Sequence, residues 1–147
     1  MMNAGQSAHF SKNVTAAPEE AALMRREFTS WLSSNLTLDP TKASDVVLAV
    51  NEALANAAEF AYVDAPSPGV MGLRAEYDSD AAVLTVTVTD KGTWRISQTD
   101  HKNPARGRGI PLMRALTDRA VIESNHAGTE VRLQWDHIDQ NCGSRTT

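Results

Sequence analysis

The sequence has one cysteine, no long apolar run and no excess of positive charge. Cys142 alone can form no internal disulfide, which fits a reducing compartment. No apolar run reaches the length of about 18 residues that a membrane-spanning helix needs. Residues 1–15 also lack the apolar stretch of a secretory signal. We therefore expect a cytoplasmic protein without a membrane partner.

The charge and the histidines narrow the class of function further. The net charge of −4 argues against a general attraction to nucleic acid, so no direct nucleic-acid partner is expected. The 4 histidines are scattered and do not have the spacing of a metal site. A chain of 147 residues is long enough for one domain with a real core. We expect that domain to span residues 1–136, followed by a polar C-terminal tail over residues 137–147.

Hydrophobic periodicity predicts the order β-α-α-β-β-loop-α-β-β. Pro18 opens a helix that runs to about Asn35, and Asp39-Pro40 opens a second that runs to about residue 62. A third helix begins near Gly109. The strands are expected at residues 9–15, 70–77, 82–89, 121–124 and 128–135, with a hairpin turn at 77–80. Antiparallel hairpins interrupted by helices predict an α+β fold with two layers.

The second helix is rich in alanine but carries Glu52 and Asn56 one turn apart. At about 100° per residue, Val46, Val50 and Leu54 lie on the core face, and the two polar residues lie near the opposite side. Positions i and i+4 point the same way and could act on one ligand. The alternative is a partly exposed amphipathic helix with two polar residues that have no common task.

Two later segments carry further polar signals. Asp90-Lys-Gly92 ends a strand, where a carboxylate could accept a hydrogen bond from the exocyclic amine of a purine and glycine would let the backbone come close. An ordinary Asp-Gly turn gives the same pattern.

The second segment lies within a basic part of the chain, because residues 91–119 hold 7 of the 14 lysines and arginines. Within it, Arg106-Gly107-Arg108-Gly109 precedes a helix, a pattern suited to phosphate oxygens. A solvated basic loop remains the alternative.

Taken together and in order, four motifs resemble one family. They are Glu52-x-x-x-Asn56, Asp90-x-Gly92-x-Trp94, Gly107-x-Gly109 before a helix, and Gly128-Thr129 on a late strand. This set is similar to the GHKL ATPase superfamily and, within it, to the anti-sigma-factor serine kinases of the SpoIIAB/RsbW type. The resemblance runs from about residue 9 to residue 135. It implies a Bergerat-type ATP-binding fold with a mixed or antiparallel sheet.

The resemblance also implies a role for each motif residue. Asn56 would hold Mg²⁺ on the phosphates of ATP, and Glu52 would be the general base that deprotonates a protein serine or threonine. Asp90 would bind the adenine amino group with support from Thr129, and Gly92 would line the base pocket. Arg106, Gly107, Arg108 and Gly109 would form the phosphate lid.

The same resemblance implies partners and leaves alternatives. The expected partners are a sigma factor, which the protein would sequester, and a STAS-domain anti-anti-sigma factor, which it would phosphorylate; a homodimer is also expected. Family members often have histidine where this chain has Phe60, and arginine where it has Ala105. These departures keep open a nucleotide-binding regulatory module with little or no kinase activity. A detached histidine-kinase catalytic domain is a third hypothesis, which Trp94 and the small size of the chain disfavour.

Overall fold

The computed structural model describes residues 7–60, 69–91, 111–125 and 128–141, and the statements below refer to these residues. The helices are α1 Pro18–Asn35 and α2 Pro40–Phe60, and residues 111–115 are also helical. The strands are β1 Ala8–Thr15, β2 Leu36–Thr37, β3 Val70–Asp78, β4 Val83–Asp90, β5 Arg119–Asn125, β6 Gly128–Trp135 and β7 Asp139–Gln140. Neither α1 nor α2 has both the length and the hydropathy that a membrane span requires.

Five of the strands form one sheet in the order β1-β3-β4-β6-β5, and every neighbouring pair in it is antiparallel. Helices α1 and α2 pack on each other and on one face of this sheet. The α+β fold with helices layered on a sheet is therefore confirmed. Of the two sheet types left open by the sequence, the antiparallel one is observed.

The local patterns explain the main elements. Pro18 occupies the first turn of α1, where its missing N–H costs nothing, and Met24, Phe28 and Leu32 then recur every fourth residue as its buried stripe. In β6, the alternation of Thr129, Val131, Leu133 and Trp135 buries every second side chain. The predicted bounds of α1 and β6 are confirmed, and β1, β3 and β4 begin and end within one residue of the prediction. The predicted end of α2 near residue 62 lies outside the described residues.

The position of Asn56 on α2 corrects the sequence interpretation. Its side chain is 5% exposed, whereas the helical-wheel argument placed it opposite the core face. The fully buried alanines Ala49 and Ala53 explain the difference. Because these side chains are small, the helix lies close to the sheet, and the buried arc widens until it includes Asn56. Glu52 precedes Asn56 by one helical turn, lies further from the centre of the buried arc and is half-buried.

Residues 137–141, which the sequence interpretation assigned to the tail, pack against the domain. Ile138 is 1% exposed, and its carbonyl oxygen accepts a hydrogen bond of 2.6 Å from the Tyr77 hydroxyl. Burial raises the pKa of Tyr77, which keeps this hydroxyl protonated as a donor. Strand β7 then pairs with β2, the two residues that follow α1. Residues 142–147 lie outside the described part of the chain.

Candidate functional site

A row of side chains crosses the sheet and changes from apolar to polar along its length. The strand register aligns Val14 on β1, Met71 on β3, Asp90 on β4, Thr129 on β6 and Ser124 on β5. Aligned residues on neighbouring strands point to the same face. Met71 is fully buried, so this is the face that the helices cover. The polar half of the row is therefore directed toward the helix layer.

Asp90 and Thr129 are buried although both are polar. Asp90 is 6% exposed and Thr129 is 3% exposed. Carboxylates and hydroxyls are uncommon among buried side chains, and here the two are aligned on neighbouring strands. The Thr129 hydroxyl lies 2.9 Å from that of Ser124, which is exposed on the edge strand β5. The structure thus brings together Asp90 and Thr129 on neighbouring strands, and their roles toward a base stay a prediction.

Gly128 explains how these two residues come so close. It has a φ of +144°, which L side chains rarely adopt, and a Cβ on it would overlap the carbonyl oxygen of Asp90. The same Cβ would lie 2.8 Å from the Cα of Lys91. Only glycine lets β6 begin here against the end of β4, so Gly128 sets the spacing of the Asp90–Thr129 pair.

We expect Gly128→Ala to destabilise the protein by about 1–3 kcal/mol, since it forces both a disfavoured φ and a clash with backbone. Gly72→Ala is the matched control, because the Cβ there would meet the side-chain oxygens of Asn13 and Thr89, which can move aside. Urea denaturation of both variants measures the free energies of unfolding. If the loss in free energy of unfolding at Gly128 were no larger than the loss at Gly72, the overlap with backbone at Gly128 would not be the cause of the destabilisation.

Helix α2 contributes the other polar group on this side. It packs against β3, β4 and β6, two of which carry Asp90 and Thr129. Asn56 is buried on it, and its Nδ2 has no hydrogen-bond partner among the described residues. A buried amide donor without a partner is uncommon in folded proteins and indicates a ligand with an acceptor atom that completes it. Glu52 lies one turn before it, with a side chain that solvent can reach.

The Asn56 side chain would fit the magnesium ion that the sequence resemblance implies. Mg²⁺ prefers oxygen ligands, keeps several waters and usually takes few ligands from protein when phosphates supply the rest. A rotation of the amide by 180° exchanges Nδ2 and Oδ1, so the same position can present its oxygen to a cation. No cluster of three or more His, Cys, Asp or Glu side chains that could hold a metal ion occurs in the described ranges.

A cleft of about 300 Å³ opens at the same end of the sheet, and both Asp90 and Thr129 are among the residues that line it. Asn13, Gly72, Thr89, Glu123 and Glu130 line it, and each lies one residue away from the row that contains Asp90. Side chains alternate along a strand, so these residues point away from α2. Much of the cleft therefore lies on the face away from α2, and Asn56 is not among its lining residues.

Several predicted site residues lie outside the described part of the chain. These are Gly92, Arg106, Gly107, Arg108 and Gly109, and their assignment to a base pocket and a phosphate lid stays a prediction. Of the seven basic residues in this region, the structure describes Lys91, Arg114 and Arg119. Arg114 donates a hydrogen bond of 3.3 Å to the carbonyl oxygen of Ala120. It therefore has a structural contact that charge counting did not reveal.

Sequence interpretation missed Ser124. Only two residues separate β5 from β6, and a connection that short aligns Asn125 with Gly128 and hence Ser124 with Thr129. The signal was available in the spacing, but it acquires meaning only once Thr129 is known to be buried beside Asp90.

Two comparisons with known proteins agree with this geometry. The family model described as the histidine kinase-like ATPase domain matches residues 14–135, which is well over half of the chain. The crystal structure of the RsbU and RsbW domains of Rv1364c from Mycobacterium tuberculosis is similar in fold, with a TM-score of 0.69 and 21% sequence identity. The similarity covers 95% of this chain and 35% of that one, so the present chain matches about a third of its length. The chain belongs to the histidine kinase-like ATPase domain family.

Proposed function

We propose that this protein is an ATP-dependent protein serine/threonine kinase that also acts as an anti-sigma factor. The observation that carries the proposal is the buried Asn56 Nδ2, which has no hydrogen-bond partner among the described residues, on the helix that packs against the strands carrying Asp90 and Thr129. A polar group of this kind on a helix that packs on the same face of the sheet as a buried carboxylate and hydroxyl suits a nucleotide bound between the two layers. Membership of the ATPase-domain family identifies ATP as the nucleotide.

In this proposal, residues of the sheet bind the adenine base. The Asp90 carboxylate accepts a hydrogen bond from the adenine amino group, and Thr129 supports it with its hydroxyl. Both side chains are buried, so little water competes for these hydrogen bonds. Gly92 lines the base pocket in this proposal, and Arg106 to Gly109 contact the phosphates through guanidinium and backbone N–H groups.

In this proposal, residues of α2 carry out phosphoryl transfer. The hydroxyl oxygen of a serine or threonine on the partner attacks the γ-phosphorus, the bond from that phosphorus to the β–γ bridging oxygen breaks, and ADP leaves. Glu52 takes the proton of the attacking hydroxyl as general base. Asn56 holds Mg²⁺, which supplies charge neutralisation on the phosphates when it is bound. Asn56 and Glu52 are one helical turn apart, which places the metal ligand and the base on neighbouring points of one surface.

The proposed partners follow from the type of kinase that the motifs resemble. A STAS-domain anti-anti-sigma factor would supply the acceptor serine or threonine. Its phosphorylation would release the protein from this antagonist, and the protein would then sequester a sigma factor. We further propose a cytoplasmic homodimer. The support is the ordered set of four motifs together with a fold similar to a structure that includes an RsbW domain.

A radiolabel transfer assay tests the proposal. Incubated with radiolabelled ATP and Mg²⁺, the protein is expected to label STAS-domain proteins encoded in the same genome on serine or threonine. The label should disappear when a chelator removes Mg²⁺ or when the acceptor residue is replaced by alanine. ATP binding without transfer to any such protein would contradict the kinase assignment.

The second candidate is a nucleotide-binding module that regulates its partners with little or no transfer. Phe60 and Ala105 favour it, because both replace polar residues that are frequent in the kinase family. The two candidates differ in one measurement: the module would bind ATP and its partner in calorimetry, yet show no transfer in the assay above.

A further inference from the structure

Ser124 lies behind Thr129 in the polar half of the row, on the side away from Asp90. The register aligns Thr129 with Asp90 on one neighbouring strand and with Ser124 on the other. The two hydroxyl oxygens are 2.9 Å apart, and either can be the donor. Thr129 thus lies between a carboxylate and a second hydroxyl, and the direction of its single O–H decides what it can offer a ligand.

The direction matters because adenine presents two different groups at neighbouring positions. Its amino group is a donor, and the ring nitrogen N1 beside it is an acceptor. An ionised carboxylate only accepts, so Asp90 suits the amino group and Thr129 must then donate to N1. If the Thr129 proton were given to Ser124 instead, N1 would face an oxygen lone pair.

We propose that Ser124 is a positioning residue that selects adenine. Its hydroxyl donates to Thr129 Oγ1 and thereby leaves the Thr129 proton free for N1, directly or through one water. Ser124 is exposed, so solvent satisfies its own acceptor sites. This inference rests on the proposed ATP site.

The same arrangement disfavours guanine nucleotides. Guanine presents a carbonyl oxygen where adenine has its amino group, and an N1–H where adenine has an acceptor. The carbonyl would face the Asp90 carboxylate, and the N1–H would face the Thr129 proton. Two mismatched contacts in a buried site leave polar groups unpaired, which is how such sites reject close analogues.

Calorimetry with ATP and with 1-deaza-ATP, which lacks the N1 acceptor, tests the inference. Ser124→Ala removes the donor to Thr129 Oγ1, so the Thr129 hydroxyl is no longer held with its proton toward N1. ATP binding is expected to weaken roughly three- to tenfold, the range of the lost Thr129–N1 hydrogen bond. It should change 1-deaza-ATP binding by less than about twofold, because the interaction that Ser124 supports is already absent. Ser124→Thr keeps the hydroxyl and should bind ATP like the wild type. Ser11→Ala, on the opposite edge strand β1, is the matched control and should change neither affinity.

The outcomes separate the inference from the proposed function. Equal weakening of both nucleotides by Ser124→Ala would show a merely structural role and overturn the inference, as would no weakening of either. In both cases the ATP site itself would stand. A wild-type protein that binds no ATP would overturn the proposed function, and the inference with it.

Discussion

Asp90→Asn is expected to weaken ATP binding roughly 30- to 100-fold, the range of a lost charged hydrogen bond in a buried site. Asp90 is 6% exposed, so water cannot easily take over its contact with the base. The amide that replaces the carboxylate has one acceptor oxygen fewer and no charge, and its NH₂ group opposes the adenine amino group. Calorimetric titration with ATP and Mg²⁺ measures the loss.

Two controls sharpen this experiment. Asp80→Asn makes the same chemical change in the exposed turn between β3 and β4, and it should leave ATP affinity unchanged. The triphosphate of purine riboside lacks the amino group, so the wild type and Asp90→Asn should bind it with similar affinity. If Asp90→Asn bound ATP as tightly as the wild type, Asp90 would not bind the adenine amino group.

The fold was predictable wherever the signal lies within one element. A proline at the first turn and an apolar residue every fourth position are enough to bound α1, and strict alternation is enough to bound β6. Strands β2 and β7 have two residues each, which is too short for any periodicity. Their pairing depends on Ile138, which is buried in the core beside Tyr77. This tertiary contact could not be predicted from the mostly polar sequence around Ile138.

The sequence proposes residues for the candidate site but does not reveal their arrangement. The motifs identified Asn56, Asp90 and Thr129, and the structure adds that all three are buried. Burial of Asn56 could not be derived from helix geometry alone, because the width of the contact arc depends on how closely the alanines let α2 approach the sheet. The alignment of Asp90 with Thr129 depends on the register of β4 and β6, which are far apart in the sequence.

Glu52→Gln is expected to reduce phosphoryl transfer about 100-fold or more, the contribution typical of a general base. Glutamine has nearly the same shape but cannot accept the proton of the attacking hydroxyl. Because Glu52 is half-buried at the edge of the buried face of α2, and not among the base-reading residues, ATP affinity should change by less than about threefold. Radiolabel transfer to a STAS-domain partner gives the rate, and calorimetry gives the affinity.

Glu76→Gln provides the matched control, because Glu76 is exposed on the face of the sheet that points away from the helices. It should change neither transfer nor binding. A fall in the transfer rate at unchanged ATP affinity assigns Glu52 to the chemical step and favours the kinase over the binding module. If Glu52→Gln transferred phosphate as fast as the wild type, another group would act as the base. If it lost transfer and ATP binding together, Glu52 would belong to the nucleotide pocket and not to catalysis.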